Sequence, residues 1–223
     1  MKTIYLKEFE ELAKRGVAYI PLGTIEWHGD HLPIETDFLI AQKICEELNK
    51  DFPGYILPPF YMGAYGHEVI DGQDMWGMDR KLKKKLLGNV YFLESDLLVK
   101  TINSLISNLK KQGFNKIIVV TGHGGGTQTD CLKEIAKNEN VLTINPYDAI
   151  ASHHADETET SIFWACFPQE EGRGRSFETP KDDDLTNHYG YDPLPKSSLK
   201  LGQELLAKMM VMVKEKCKHF LES

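Results

Sequence analysis

Four short apolar runs punctuate the chain: "VAYIPL" at 17–22, "YILPPF" at 55–60, "KIIVVTG" at 116–122 and "VLTIN" at 141–145. Each is bounded by Gly, Pro or Asn and is rich in β-branched residues. Their apolarity is continuous rather than alternating, which predicts strands covered on both faces, as in a parallel sheet. Between them apolar positions recur at helical spacing: Phe38, Ile40, Ala41, Ile44 and Leu48, then Leu97, Leu98, Ile102, Leu105, Ile106 and Leu109, then Leu132, Ile135 and Ala136. Strands alternating with helices predict a doubly wound α/β fold. Helix starts are marked by Thr36 before Asp37 and by Ser95 before Asp96, and a C-terminal helix is expected from about Ser198, after "PLPKSS". Phe163, Trp164 and Cys166 read as the buried face of a further helix, with Trp164 also suited to a pocket mouth.

Two stretches break the alternation. Residues 61–80 and 168–197 are rich in Gly, Asp and aromatics and show no period, so they read as long loops of the kind that form lids or partner contacts. The charge runs "KLKKK" (81–85) and "KDDDL" (181–185) read as solvated faces.

Composition narrows the choice of function. With 223 residues, 41% of them hydrophobic, the chain suits one domain over 1–223 with a single sizeable core. A balance of 26 basic against 33 acidic residues gives a formal charge of −7, which argues against a nucleic-acid partner. No apolar run is long enough for a membrane span or an export signal, so a cytoplasmic location is expected. The four cysteines, Cys45, Cys131, Cys166 and Cys217, stand singly and read as reduced, buried thiols.

The candidate chemistry gathers where strands end, which in an open parallel sheet is where ligands bind. Glu26 and His28 follow the first strand, His123 in "TGHGGG" follows the third, and "HHADETETS" (153–161) follows the fourth. Together they offer His, Asp and Glu but no Cys, a donor set suited to Zn²⁺ or Mn²⁺. Glu26 and His28, two apart on an extended exit, point to one side. Asp37, at a helix start, could bridge two cations with its two oxygens. Gly124 and Gly125 let backbone approach a substrate and present N–H groups to a developing oxyanion. Taken singly, each feature has a plain structural explanation: a capping Asp, a hydrogen-bonding His, a glycine-rich turn. Asp30, His31 and Glu35 read as supporting groups. The competing non-enzymatic reading is an anion- or nucleotide-binding domain built on "GHGGG", although that loop lacks the Lys and Ser/Thr of a P-loop.

"PLGTIEWHGDHLPIETD" resembles the first signature of the creatininase (creatinine amidohydrolase) family, P-[LVI]-G-[ST]-x-E-x-H-G-x-H-L-P-x-x-T-D. "TGHGGG" is similar to its second, N-G-H-G-G-N, and "HADETETS" to its third, H-A-G-x-x-E-T-S. The resemblance implies a three-layer α/β/α fold with a mostly parallel sheet, a metal-dependent hydrolase activity and a homo-oligomer, in the family often a hexamer. It implies two divalent cations, Zn and/or Mn, with Fe as a further option. Their ligands would be Glu26, His28, His123 and a bridging Asp37, with His154 in proton transfer. Glu159 would be either a ligand or an acid/base group. Creatininase carries a ligand glutamate where this chain has Gly125, which makes Glu159 the candidate replacement. Gly126 stands for the usual Asn, Asp156 for the usual Gly, and the middle segment is rewritten as "YGHEVIDGQDMWG". Within that segment His67 and Trp76 are candidate substrate contacts. The expected substrate is a small polar amide or cyclic amide. Alternatives within the family are formamidopyrimidine deformylation and hydrolytic opening of a cyclic diketone such as a keto-inositol.

Overall fold

The computed structural model describes residues 3–58, 60–173 and 192–223. Its centre is a four-stranded sheet of β1 (Val17–Leu22), β2 (Tyr55–Ile56), β7 (Lys116–Thr121) and β8 (Val141–Ile144), in the order β2-β1-β7-β8. Every pair in it is parallel. Successive side chains of a strand point to opposite faces. Tyr19, Ile118 and Val120 therefore pack on α2 (Thr36–Asp51), α6 (Glu157–Cys166) and α7 (Leu199–Glu222) through Ile44, Ile162 and Met209. Ala18, Ile20, Ile117 and Val119 face the other way, onto α4 (Ser95–Lys111) and α5 (Gly126–Ile135), with α1 (Leu6–Arg15) at the margin through Phe9. The result is the expected three-layer α/β/α arrangement, and its two covered faces account for the unbroken apolar runs.

The chain leaves β1 toward β2 on one side and β7 toward β8 on the other. The ends of β1 and β7 thus flank the point where the direction of winding reverses, the place where a crevice opens above an α/β sheet.

Residues 61–80 are not the loop their lack of period suggested. They hold β3 (Gly63–Ala64), the hairpin of β4 (His67–Ile70) and β5 (Gln73–Trp76), and α3 (Met78–Leu82), while β3 pairs in parallel with β6 (Phe92–Leu93). Asp71 and Gly72 make the hairpin turn with φ of 51° and 75°, the two positive values a type I′ turn demands. The Asp-Gly pair was the signal for it. "KLKKK" is only partly a solvated face: Lys81 lines the cavity described below, and Lys85 stands 3.6 Å from the buried Asp79. Trp164 lies in the core beside α2 and α7 rather than at a pocket mouth. The four cysteines are free and buried. Of the second aperiodic stretch, Pro168–Glu170 and Leu194–Lys196 are short 3₁₀ turns. Residues 174–191, with "KDDDL", lie outside the described residues. Among the described residues no helix is long and apolar enough to cross a membrane.

Candidate metal centre

Two glycines create the space in which the site forms. A Cβ on Gly122, just past β7, would fall 1.8 Å from the Asp37 carbonyl oxygen; one on Gly23, just past β1, would fall 2.4 Å from the Phe38 nitrogen. Only glycine at both strand ends lets the first turn of α2 settle directly on the sheet. Asp37 is the second residue of that helix, yet no side chain caps the helix start. Its carboxylate is free to turn into the crevice instead.

There Asp37 meets side chains from three other segments. Its Oδ1 lies 3.2 Å from His28 Nε2, and its Oδ2 lies 2.9 Å from His123 Nδ1. Glu26 Oε1 is also 2.9 Å from His123 Nδ1, and Glu159 Oε2 is 3.7 Å from His28 Nε2. Glu159 comes from α6, whose start is fixed by Asp156: its Oδ1 accepts from Thr158 N at 2.9 Å and from Glu159 N at 2.8 Å, an N-cap on residues the sequence places in order. The Glu159 carboxylate is further held by Ala155 N at 2.6 Å and by the Tyr147 hydroxyl at 3.1 Å. These groups sort into sets whose ligand atoms lie within 4.8 Å of one another: Glu26, Asp37 and His123; His28, Asp37 and Glu159; and Glu26, His28 and His154. Asp37 is common to the first two.

Glu26, His28, Asp37, His123 and Glu159 are almost fully buried and His154 is partly so, which makes their charge the dominant fact of the site. Burial alone would depress the His28 pKa, but Asp37, then Glu159 and Glu26, outweigh it and lift it to about 10. His123 is likewise raised well above its ordinary value: burial acts against it, and Glu26 and Asp37 prevail. Burial works to raise the pKa of Asp37, yet the two imidazoles hold it below the usual carboxylate range. Glu159 is pushed up to about 7, by burial first and by the charge of Asp37, against the pull of His28. Three carboxylates thus converge in the dry interior, and protons on His28 and His123 balance part of their charge. Glu26 Oε1 and His28 Nε2 nevertheless have no properly oriented hydrogen bond among the described residues. The His28 Nδ1 lies 3.1 Å from the Glu26 carbonyl oxygen, which fixes the N–H on that nitrogen and leaves Nε2 as the one that faces the carboxylates.

His154 behaves differently. Its Nε2 donates to the Trp27 carbonyl oxygen at 2.6 Å, and its Nδ1 points toward Glu26 Oε1 at 3.7 Å. Burial, joined by the positive His28 and His123, lowers its pKa to about 4 in spite of Glu26. It is therefore a neutral imidazole at pH 7, with a lone pair on Nδ1 turned to the site.

Above the carboxylates lies a cavity of about 380 Å³ lined by Glu26, Asp37, His123, His154 and Glu159 and by Gly124–Gly126. A Cβ on Gly125 would fall 2.6 Å from His123 Nε2, so the backbone here runs against the imidazole. The sequence-based candidates Glu26, His28, Asp37, His123, His154 and Glu159 come together, and Gly124 and Gly125 line the space above them. His67 and Trp76 do not join them. They face each other across the β4–β5 hairpin, ring centroids 4.2 Å apart, and His67 bonds Asp74 at 2.7 Å. Their neighbours Gly66 and Gly77 line the cavity instead. Of the supporting groups, His31 is buried with Nε2 3.1 Å from Thr160 Oγ1, tying this loop to α6, whereas Asp30 is exposed.

Two tyrosines escaped the sequence reading. Tyr147, six residues before "HHADETETS" begins at His153, supports Glu159. Tyr65 stands edge-on to the His123 ring at 5.0 Å, and its buried hydroxyl has no properly oriented hydrogen bond among the described residues. Tyr147 follows the end of β8, so position alone was its signal; Tyr65 sits in a segment that carried none.

Comparison with known proteins agrees with this picture. Residues 3–190 match the family described as "Creatininase: Creatinine amidohydrolase". Creatinine amidohydrolase of Pseudomonas putida is 23% identical over 124 residues, 52% of this chain and 42% of that protein. A 2-amino-5-formylamino-6-ribosylaminopyrimidin-4(3H)-one 5'-monophosphate deformylase of Methanococcus maripaludis (strain C7 / ATCC BAA-1331) is 26% identical over 155 residues, 67% of this chain and 59% of that protein. The matched part thus spans about half the length of these relatives. A manganese form of creatininase superposes with a TM-score of 0.71 at 16% identity, covering 97% of this chain and 96% of the other. With the family matched over most of its length, the chain belongs to the creatininase family.

Proposed function

We propose that the chain is a metal-dependent hydrolase that cleaves a C–N bond in a small polar amide or cyclic amide, using two divalent cations. The observation that carries this reading is the sharing of Asp37 between two buried ligand sets, Glu26–Asp37–His123 and His28–Asp37–Glu159. The donors fit the cations: mixed carboxylate and imidazole suits Zn²⁺ or Mn²⁺. Glu26 Oε1 and His28 Nε2 are buried without an oriented hydrogen bond among the described residues, and both are free to take a cation once the two imidazoles give up their protons. Bound there, the two cations supply an acidified water and a polarised carbonyl.

The chain's own part follows from its proton inventory. His154, neutral and with Nδ1 on the side of Glu26, accepts a proton from the attacking water and returns it to the leaving nitrogen. Its Nε2–H stays on the Trp27 carbonyl throughout and fixes the ring. Tyr147 and Ala155 hold Glu159 in place. Gly124 and Gly125 allow a planar amide to lie close to the backbone. His154→Gln is therefore expected to lower kcat about a hundredfold or more while metal content stays at the native level; a variant that lost metal in proportion to activity would assign His154 to the ligands instead.

Because His28 and His123 are protonated at neutral pH in the metal-free protein, cations must displace those protons. With its pKa lifted to about 10, His28 keeps its proton through the neutral range and releases it unaided only as pH rises through that value. Metal affinity is expected to rise between pH 6 and pH 8, and titration with Mn²⁺ at pH 7 to release about one to two protons per chain. Calorimetry in buffers of different ionisation enthalpy reads the number directly, and zero release would contradict the assignment of both imidazoles.

Elemental analysis of the purified protein, followed by a panel of lactams and N-formyl amines, tests the function as a whole. Stoichiometric metal with hydrolysis of an amide is the expected result. Absence of bound transition metal after loading would overturn it and favour an anion-binding domain.

A further inference from the structure

The cavity is lined by two kinds of charge. Beside the carboxylates it contains Arg80 and Lys81, from α3, and Gly126 and Thr127, from the first turn of α5. None of these groups has a part in the proton transfers described above. Their placement is nevertheless firm. Asp79, buried next to Arg80, accepts at Oδ1 from Leu86 N at 3.0 Å and from Asn89 Nδ2 at 2.7 Å, which pins α3 in place. Arg80 then lies over Gly66: a Cβ there would fall 1.9 Å from the guanidinium Nη1 and 3.4 Å from Thr127 Oγ1. With glycine at this position the guanidinium keeps its place beside α5 without shifting.

The positive charge gathered there is poorly answered within the protein. Arg80 Nε is buried without a hydrogen bond among the described residues; its ion pair with Glu68, 3.5 Å away, joins side chains 34% and 57% exposed and is weakened by solvent. Of the four carboxylates in the lining, Glu26, Asp37 and Glu159 belong to the metal sets, and Asp148 stands 3.6 Å from Lys216. The α5 helix opens on Gly125 without a side-chain cap, and its first turn has no acidic residue, so the positive end of its dipole lies at the cavity lining with no counter-charge from its own turn. A guanidinium fork, an ammonium and helix-terminal amides together match the several oxygens of a dianionic phosphate better than the two of a carboxylate.

We propose that Arg80, Lys81 and the first turn of α5 bind a phosphate group carried by the substrate. The inference rests on the reading of the cavity as a hydrolytic site, and it assigns the substrate to the phosphorylated amides.

The test uses the full chain loaded with Mn²⁺, titrated with inorganic phosphate and, for comparison, with acetate. Arg80→Gln and Lys81→Gln are titrated alongside, and the metal content of every sample is measured. Phosphate binding is expected to weaken about tenfold or more in Arg80→Gln and several-fold in Lys81→Gln, with metal content unchanged. Lys81 is exposed, so its variant carries the test even if Arg80→Gln fails to fold. Equal phosphate affinity in all three proteins would mean that phosphate sits on the metals alone and would overturn the proposal. Failure of the native protein to bind phosphate would do the same, as would Arg80-dependent binding of acetate as tight as that of phosphate. Should the chain take up no metal, the proposed function fails by itself; the titration then runs on the metal-free protein, where the same Arg80 dependence is expected.

Discussion

Asp37→Asn is expected to leave a folded protein that holds almost no metal and turns over at about one thousandth of the native rate. The carboxylate is the one group common to both candidate sets, with Oδ1 toward His28 at 3.2 Å and Oδ2 toward His123 at 2.9 Å. Asparagine keeps the size and one acceptor oxygen but removes the charge and replaces the second oxygen with a donor. Loss of a supporting partner outside the ligand set commonly costs ten- to a hundredfold in metal affinity; loss of a group shared by two cations should exceed that. The rate follows because the cations contribute several kcal/mol of transition-state stabilisation, and about 4 kcal/mol is a thousandfold. The fold should survive, since the side chain does not cap α2. Glu159→Gln serves as the comparison: it belongs to one set and should retain about half the metal. Full metal stoichiometry in Asp37→Asn, read by elemental analysis, would sink the two-cation reading.

Gly122→Ala is expected to damage the site without touching a polar group. One methyl would arrive 1.8 Å from the Asp37 carbonyl oxygen and 2.7 Å from its carbon, both backbone atoms that no rotamer change can clear. The first turn of α2 must lift off the sheet, and the buried Phe38, Ile40 and Ile44 move with it. Overpacking of this kind costs about 3 kcal/mol at the upper end of its usual range. For a chain of this size that lowers Tm by about 6–12 °C. Metal affinity should fall in the same variant, because the carboxylate of Asp37 moves with the helix. Gly124→Ala is the control: the nearest atom to its Cβ would be Tyr147 Cδ2 at 4.0 Å, ordinary contact, so Tm should stay within about 2 °C of native. Equal thermal stability of the two variants would show that the close approach at Gly122 is not what seats α2.

The floor of the site was legible in the sequence because each contributing residue follows a strand whose apolar run announces it. Glu26 and His28 after β1, His123 after β7 and Glu159 on the helix beyond β8 needed only the rule that strand ends converge. The role of Gly122 was not legible: a glycine after a strand is ordinary, and its purpose appears only when α2 is seen lying on it. The cavity walls were harder still. Strands as short as Gly63–Ala64 and Phe92–Leu93 leave no period, and their stability comes from partners distant in sequence, such as Gln128 Oε1 accepting from Ala64 N at 2.8 Å. Polar character then misled. His67 and Trp76 looked like substrate contacts, yet the pairing of their hairpin joins them to each other, whereas Arg80 and Tyr65 next to them in the chain reach the cavity.

The lacing between wall and floor bears on how such a protein can change. Trp27, between Glu26 and His28, donates its backbone N–H to Asn89 Oδ1 at 2.8 Å, and Asn89 in turn donates to Asp79 at 2.7 Å. Val90 N donates to the Ile25 carbonyl at 3.3 Å, and the Thr24 hydroxyl to the Tyr91 carbonyl at 2.8 Å. Apart from the Asn89 and Asp79 side chains, this stitching uses main chain on the wall side. Most wall positions can therefore accept a new side chain while the strand exit below keeps its shape. A scaffold fastened in this way can exchange the molecules it admits by many small substitutions and still inherit its bond-breaking apparatus intact.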